Sequence, residues 1–170
     1  GLGLHVAPDA QLHLKDAYIY NNPVGLSSFS LDSVLDAERV IIEANGRGIL
    51  ATSNQVRLHK IRISDSDSVG MQVQGEIAHV FAKELIIEQP PFLGQDPATT
   101  KVGLFVAEGS QAQLIQAQIH GNHRVGIYVG DEGSQLVAQQ LLITGSGTHE
   151  GRANLGRALN VQDGASAQLT

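Results

Sequence analysis

Residues 103–125, GLFVAEGSQAQLIQAQIHGNHRV, carry the layout that most of the chain repeats. A hundred residues earlier, residues 3–24 read GLHVAPDAQLHLKDAYIYNNPV. Each stretch opens on Gly and an apolar-x-apolar triplet, steps through small residues and continues in an alternating run. Each reaches Ile sixteen residues after the Gly and Asn three residues later. A shared layout at a fixed period is the signature of a repeat architecture.

The Gly marker stands at 3, 25, 48, 70, 103 and 126, with spacings of 22, 23, 22, 33 and 23, and Ala158 takes its place in a seventh unit. A second marker runs in step: Ile19, Ile42, Ile63, Ile87, Ile119 and Ile143. Three residues beyond each lies Asn22, Asn45, Ser66, Pro90, Asn122 or Ser146. Asn and Ser there suit a turn, since their side chains bond backbone and Asn tolerates left-handed dihedrals. Within a unit the apolar residues alternate: Leu4 and Val6 flank His5, Leu104 and Val106 flank Phe105, and Ile127 and Val129 flank Tyr128. Alternation broken by Gly, Asp, Asn or Pro predicts short half-buried strands, about three per unit. No window holds a helical period beyond two turns. The chain is therefore expected to be all-β, a solenoid of about seven coils of 22–23 residues stacked in register. Its core should contain Leu4, Leu104, Ile127, Ile19, Ile119 and Ile143, with His5, Phe105 and Tyr128 outward. A leucine-rich repeat, the rival at this period, lacks its L-x-x-L-x-L signature here.

The G-[LIM]-x-[VA] openings (Gly3 to Val6, Gly70 to Val73, Gly103 to Val106, Gly126 to Val129), the Ile-x-x-Asn endings and the Gly109-Ser110, Gly133-Ser134 and Gly164-Ala165 steps resemble one group of proteins. These are the right-handed single-stranded parallel β-helices of the pectin-lyase-like superfamily. The resemblance covers nearly the whole chain and implies that fold, with an extracellular or cell-surface location. It does not choose an activity, because the same fold carries lyases, hydrolases, epimerases, tailspikes and plain rods.

At 170 residues the chain reads as a single domain. It opens at a repeat boundary and stops at Thr170 inside the seventh unit, with no polar capping unit, which predicts a piece of a longer rod. A net charge of -6 without a basic run argues against nucleic acid. The absence of an apolar run near eighteen residues argues against membrane insertion. There is no cysteine, so disulfide and thiol chemistry are excluded.

Two long insertions, 88–101 and 144–157, fall at the same corner of their units and should emerge about 10 Å apart. Between them lies an outward row: Phe105 and Tyr128, continued by His5, Ser27, Leu50 and Gln72. Loops on a rigid scaffold are where function concentrates, and outward aromatics suit a sugar ring. The alternative is plain cross-strand stacking of Phe105 on Tyr128. Arg124, Arg152 and Arg157 at that corner could hold a uronate carboxylate through a bidentate fork, or pair with Asp131, Glu132 or Glu150 as surface ion pairs. His120 and His123, with His149 and Glu150 as further donors, have a metal-clasping gap but read better as a strand end and a turn. Asp65 and Asp67 read as turn residues. The superfamily's enzymes use an Arg or Lys base with acidic calcium ligands, an Asp cluster, or an Asp-Pro-His motif, and none of these stands in the sequence. No cofactor is implied. The expectation is a structural or adhesive module with candidate glycan contacts at Phe105, Tyr128, Arg124, His123, His149 and Arg152. Its alternatives are a fragment of a polysaccharide-acting enzyme and a rod that stacks end to end with other chains.

Overall fold

A computed structural model describes residues 2–89, 101–121, 125–145 and 156–170. Among them the chain is entirely β, with fourteen strands and no helix. In chain order these are β1 (Leu2–Val6), β2 (Gln11–Tyr20), β3 (Val24–Ser28), β4 (Val34–Glu43), β5 (Arg47–Ala51), β6 (Gln55–Ser64), β7 (Val69–Gln74) and β8 (His79–Glu88). They continue as β9 (Val102–Ala107), β10 (Gln111–His120), β11 (Val125–Val129), β12 (Gln135–Thr144), β13 (Arg157–Val161) and β14 (Ser166–Leu169). Odd strands form one seven-stranded sheet in the order β1-β3-β5-β7-β9-β11-β13, and even strands form the other, β14-β12-β10-β8-β6-β4-β2. Every pairing is parallel, so each repeat adds one short strand to one sheet and one long strand to the other.

The inward residues of both sheets meet in one core, with Leu26, Ile49, Met71, Leu104 and Ile127 from the short strands and Leu35, Leu58, Ile63, Leu85 and Ile119 from the long ones. The Ile marker is a single row across the long-strand sheet, Ile19 to Ile42 to Ile63 to Ile87 to Ile119 to Ile143. Two expected core residues are only partly buried. Leu4 lies on β1, the edge strand of its sheet, and Ile143 lies beyond the stretch of β12 that β14 covers, which ends at Ala138.

The two markers exist because of each other. A Cβ at Gly25 would come within 2.7 Å of Ile42 Cγ2, 2.8 Å of the Gly48 carbonyl oxygen and 3.2 Å of Asn45 Cγ. At Gly48 the same atom would meet Ile63 Cγ2 and the Gly70 carbonyl. The glycine is thus required by close approach at the corner where long strand returns to short. Asn45, 1% exposed, closes that corner: its Nδ2 donates to the Glu43 carbonyl (2.8 Å) and the Ile19 carbonyl (3.3 Å), and its Oδ1 accepts from Asn22 N (2.9 Å).

The expectation of three strands per unit needs correction. The middle and Ile strands are one ten-residue strand, bent at its sixth residue. That residue is Asp16, Arg39, Lys60, Glu84, Gln116 or Gln140, with φ between 52° and 58° in all six. Pairing runs on through the bend with only that position skipped: Lys15 faces Glu38 and Ala17 faces Val40. One left-handed residue turns the strand without surrendering its ladder, and it shifts the inward phase by one. Val56 and Leu58 are buried before the bend, and Ile61 and Ile63 after it.

Candidate functional site

On the short-strand sheet the row is His5, Ser27, Leu50, Gln72, Phe105, Tyr128 and Asn160, in continuous register, but Ser27 and Leu50, expected outward, are buried. Alternation turns Phe105 and Tyr128 outward, because Leu104 and Val106, like Ile127 and Val129, point inward and are buried. Phe105 and Tyr128 are half-buried and stack with ring centroids 4.9 Å apart and planes 6° from parallel. The Tyr128 ring lies over Gly130, where a Cβ would run into it, and its hydroxyl accepts from Gln162 Nε2 at 2.9 Å. Arg157 Nη1 donates to Asn160 Oδ1 at 3.3 Å on the far side of the tyrosine. On the near side Gln72 bonds Gln74, whose Nε2 donates to Glu108 Oε1 at 2.7 Å. The stack is therefore bordered mainly by neutral amides, and each ring spends one face on the other.

His123, Arg124, His149 and Arg152 lie outside the described residues, as do most of both insertions. Their anchors are in place: Glu88, His120 and Thr144 stand in one row, as do Val102, Val125 and Arg157. Both insertions thus leave the same corner from strands two apart, about 10 Å. His120 faces outward at its strand end, its Nδ1 2.6 Å from Thr144 Oγ1 and its Nε2 3.2 Å from Gln118 Oε1. Among the described residues no three His, Asp or Glu side chains gather as a metal site. Asp65, with φ of 50°, sits where its strand turns, and Asp131 Oδ2 accepts from Glu108 N at 3.0 Å, a bond that ties the turns of two successive repeats together. The buried serines are structural too. Ser110 Oγ donates to the Val73 carbonyl at 2.9 Å and accepts from Ala107 N at 3.1 Å.

The long-strand sheet presents a second face that the sequence reading passed over. Tyr18 and Tyr20 flank the inward Ile19, so both must point out, and they do, at 55% and 60% exposure. Their rings lie 5.3 Å apart with planes at 25°. Tyr18 donates its hydroxyl to Glu43, and that carboxylate acceptor raises the phenol's pKa. Tyr18 begins an outward row through Ile41, Arg62, Ile86 and Gln118 to Leu142. Beside it, along the bend, runs a groove of about 640 Å³ walled by Lys60, Arg62, Glu84, Ile86, Gln116 and Gln118.

Charges on this sheet are paired between neighbouring strands. Arg39 holds Asp16 through two bonds of 2.5 and 2.7 Å, keeping the Asp16 carboxyl below its ordinary value. Lys15 does the same for Glu38 at 3.3 Å. Arg62 binds Glu88 at 2.7 Å, His59 lies 3.3 Å from Glu84, and His13 lies 3.1 Å from Asp36.

Comparison with protein-family models, with curated proteins and with solved structures finds no match to this chain. The functional reading therefore stands on the geometry above.

Proposed function

We propose that the chain is a stretch of right-handed single-stranded parallel β-helix, of the pectin-lyase-like kind. In this reading it serves as a structural or adhesive module of an extracellular or cell-surface protein that binds glycans on its outward rows. Two all-parallel sheets fed alternately by one chain support the fold, and a rigid ladder of side chains is what such a rod offers a ligand. The observation that carries the function is the half-buried Phe105–Tyr128 stack, bordered by Gln72, Asn160 and Gln162. The ring face that each of the two aromatics keeps outside the stack suits the C–H groups of a sugar, and the flanking amides suit its hydroxyls. The carboxylates nearest the stack serve the scaffold: Glu108 takes the Gln74 amide, and Asp131 takes a backbone N–H.

A glycan array probed with the intact chain and with a Phe105→Ala/Tyr128→Ala variant tests this. The expected result is binding to one class of glycan that weakens in the variant. An intact, folded chain that binds none of the glycans would overturn the reading.

A further inference from the structure

Resting on that glycan-binding reading, we infer a second site on the opposite sheet: the groove along the bend takes an extended, uncharged polysaccharide, with Tyr18 and Tyr20 as its platform. Three observations converge on it. The first is shape. A groove of about 640 Å³ lies between the bend residues and the next outward row on β6, β8 and β10, two strands from the tyrosines of β2, and binding sites for small and chain ligands are concave surfaces with a few placed polar groups.

The second is the aromatic pair. Tyr18, Tyr20 and the adjoining Ile41 are 55%, 60% and 42% exposed and contiguous, and an apolar cluster left open to water marks a contact surface. Unlike the half-buried Phe105 and Tyr128, these rings expose more than half their surface. The row from Tyr18 to Gln118 crosses five strands, about 19 Å at strand spacing, a length that suits a chain of several sugars.

The third is charge. Every charged group along the row has a partner of opposite sign or a bonded donor: Arg39 with Asp16, Arg62 with Glu88, Lys60 with Glu84 at 4.0 Å, and Glu43 with the Tyr18 hydroxyl. An acidic polysaccharide would face Glu43, Glu84 and Glu88, with Lys83 beside the bend as the one exposed cation outside these pairs among the described residues of the groove. A neutral one finds ring faces, the Ile86 side chain and the Gln116 and Gln118 amides, and loses nothing to charge repulsion. Discrimination by paired charge is selection against the wrong ligand.

Affinity electrophoresis through gels containing a β-glucan, a xylan, a mannan or polygalacturonate tests the site. The variants are Tyr18→Ala/Tyr20→Ala, Gln116→Ala/Gln118→Ala and, as a control on the other sheet, Phe105→Ala/Tyr128→Ala. All substituted tyrosines and glutamines on the groove face are exposed or peripheral, and circular dichroism with thermal melting verifies each fold. At least one neutral polymer is expected to retard the intact chain and the Phe105/Tyr128 variant alike. The Tyr18/Tyr20 variant should bind at least about tenfold more weakly, and the Gln116/Gln118 variant more weakly by a smaller factor. Retardation by neutral polymer that survives loss of both tyrosines would overturn the groove site while leaving the glycan-binding rod standing. Retardation by polygalacturonate alone would overturn the charge argument and with it the site. No retardation by any polymer, together with a blank array, would overturn both readings.

Discussion

Two of the turns in each repeat, the bend within the long strand and the corner that follows it, are held in different ways. Where the long strand returns to the short one, a left-handed residue makes the turn (Asn21, Ala44, Asp65, Gly121 or Gly145) and side chains lock it: Ile63 Cγ2 occupies the space of the absent Gly48 side chain, and Asn45 ties three backbone groups. In the middle of the long strand a single torsion makes the bend, at φ near 55° in Lys60, Glu84, Gln116 and their equivalents. The first corner is fixed by side chains, and its Gly and Ile markers vary little from repeat to repeat. The second is fixed by the ladder on either side, and the residue itself is free to vary on the surface. That freedom is why the bend faces a groove with varied chemistry.

The largest expected effect comes from breaking the packed corner. Gly48→Ala drives a methyl into Ile63 and the Gly70 carbonyl and is expected to cost about 3 kcal/mol, read by urea denaturation. The bend should respond with the opposite sign. Left-handed φ costs an L-residue about 1–2 kcal/mol and glycine nothing, but glycine loses more entropy on folding. Gln116→Gly is therefore expected to gain about 0.5 kcal/mol by the same assay. If Gln116→Gly destabilises clearly, the side chain rather than the torsion holds the bend.

The smallest effect is electrostatic. Asp16 and Glu38 have lowered folded pKa values, held by Arg39 and Lys15. Such groups contribute stability above their unfolded pKa, and the contribution disappears as pH falls through the lower folded value. The melting temperature of the native chain should therefore decline below the ordinary carboxylate range. Because both pairs are exposed, the part contributed by Asp16 and Arg39 is slight, seen as a marginally flatter acid limb in Arg39→Ala. An unchanged limb would mean the pair contributes nothing measurable.

The contrast between corners also explains what could be read from the sequence. Gly48, Ile63 and Asn45 were legible because a tight side-chain fit allows few residue types, and their recurrence set both the period and the inward face. The row from His5 to Tyr128 followed from alternation alone, which did not show that Ser27 and Leu50 within it are buried. The bend was hidden because Asp16, Arg39, Lys60 and Gln140 share a torsion and no chemistry. Its trace is the paired polar gap, as in Val56-x-Leu58-x-x-Ile61-x-Ile63, which divides one strand into two apparent ones. Tyr18 and Tyr20 could have been placed outward from Ile19. The groove beside their row could not, since it depends on the bend. His123, Arg124, His149 and Arg152 come from stretches of the sequence that carry no periodicity, and they lie outside the described residues.

The decisive experiment is urea denaturation of Gly48→Ala and Gln116→Gly side by side with the native chain. A lower midpoint for the first and a raised midpoint for the second, at unchanged slope, is the expected result. Two losses of similar size would contradict the distinction between a corner locked by packed side chains and a bend held by its torsion and ladder alone.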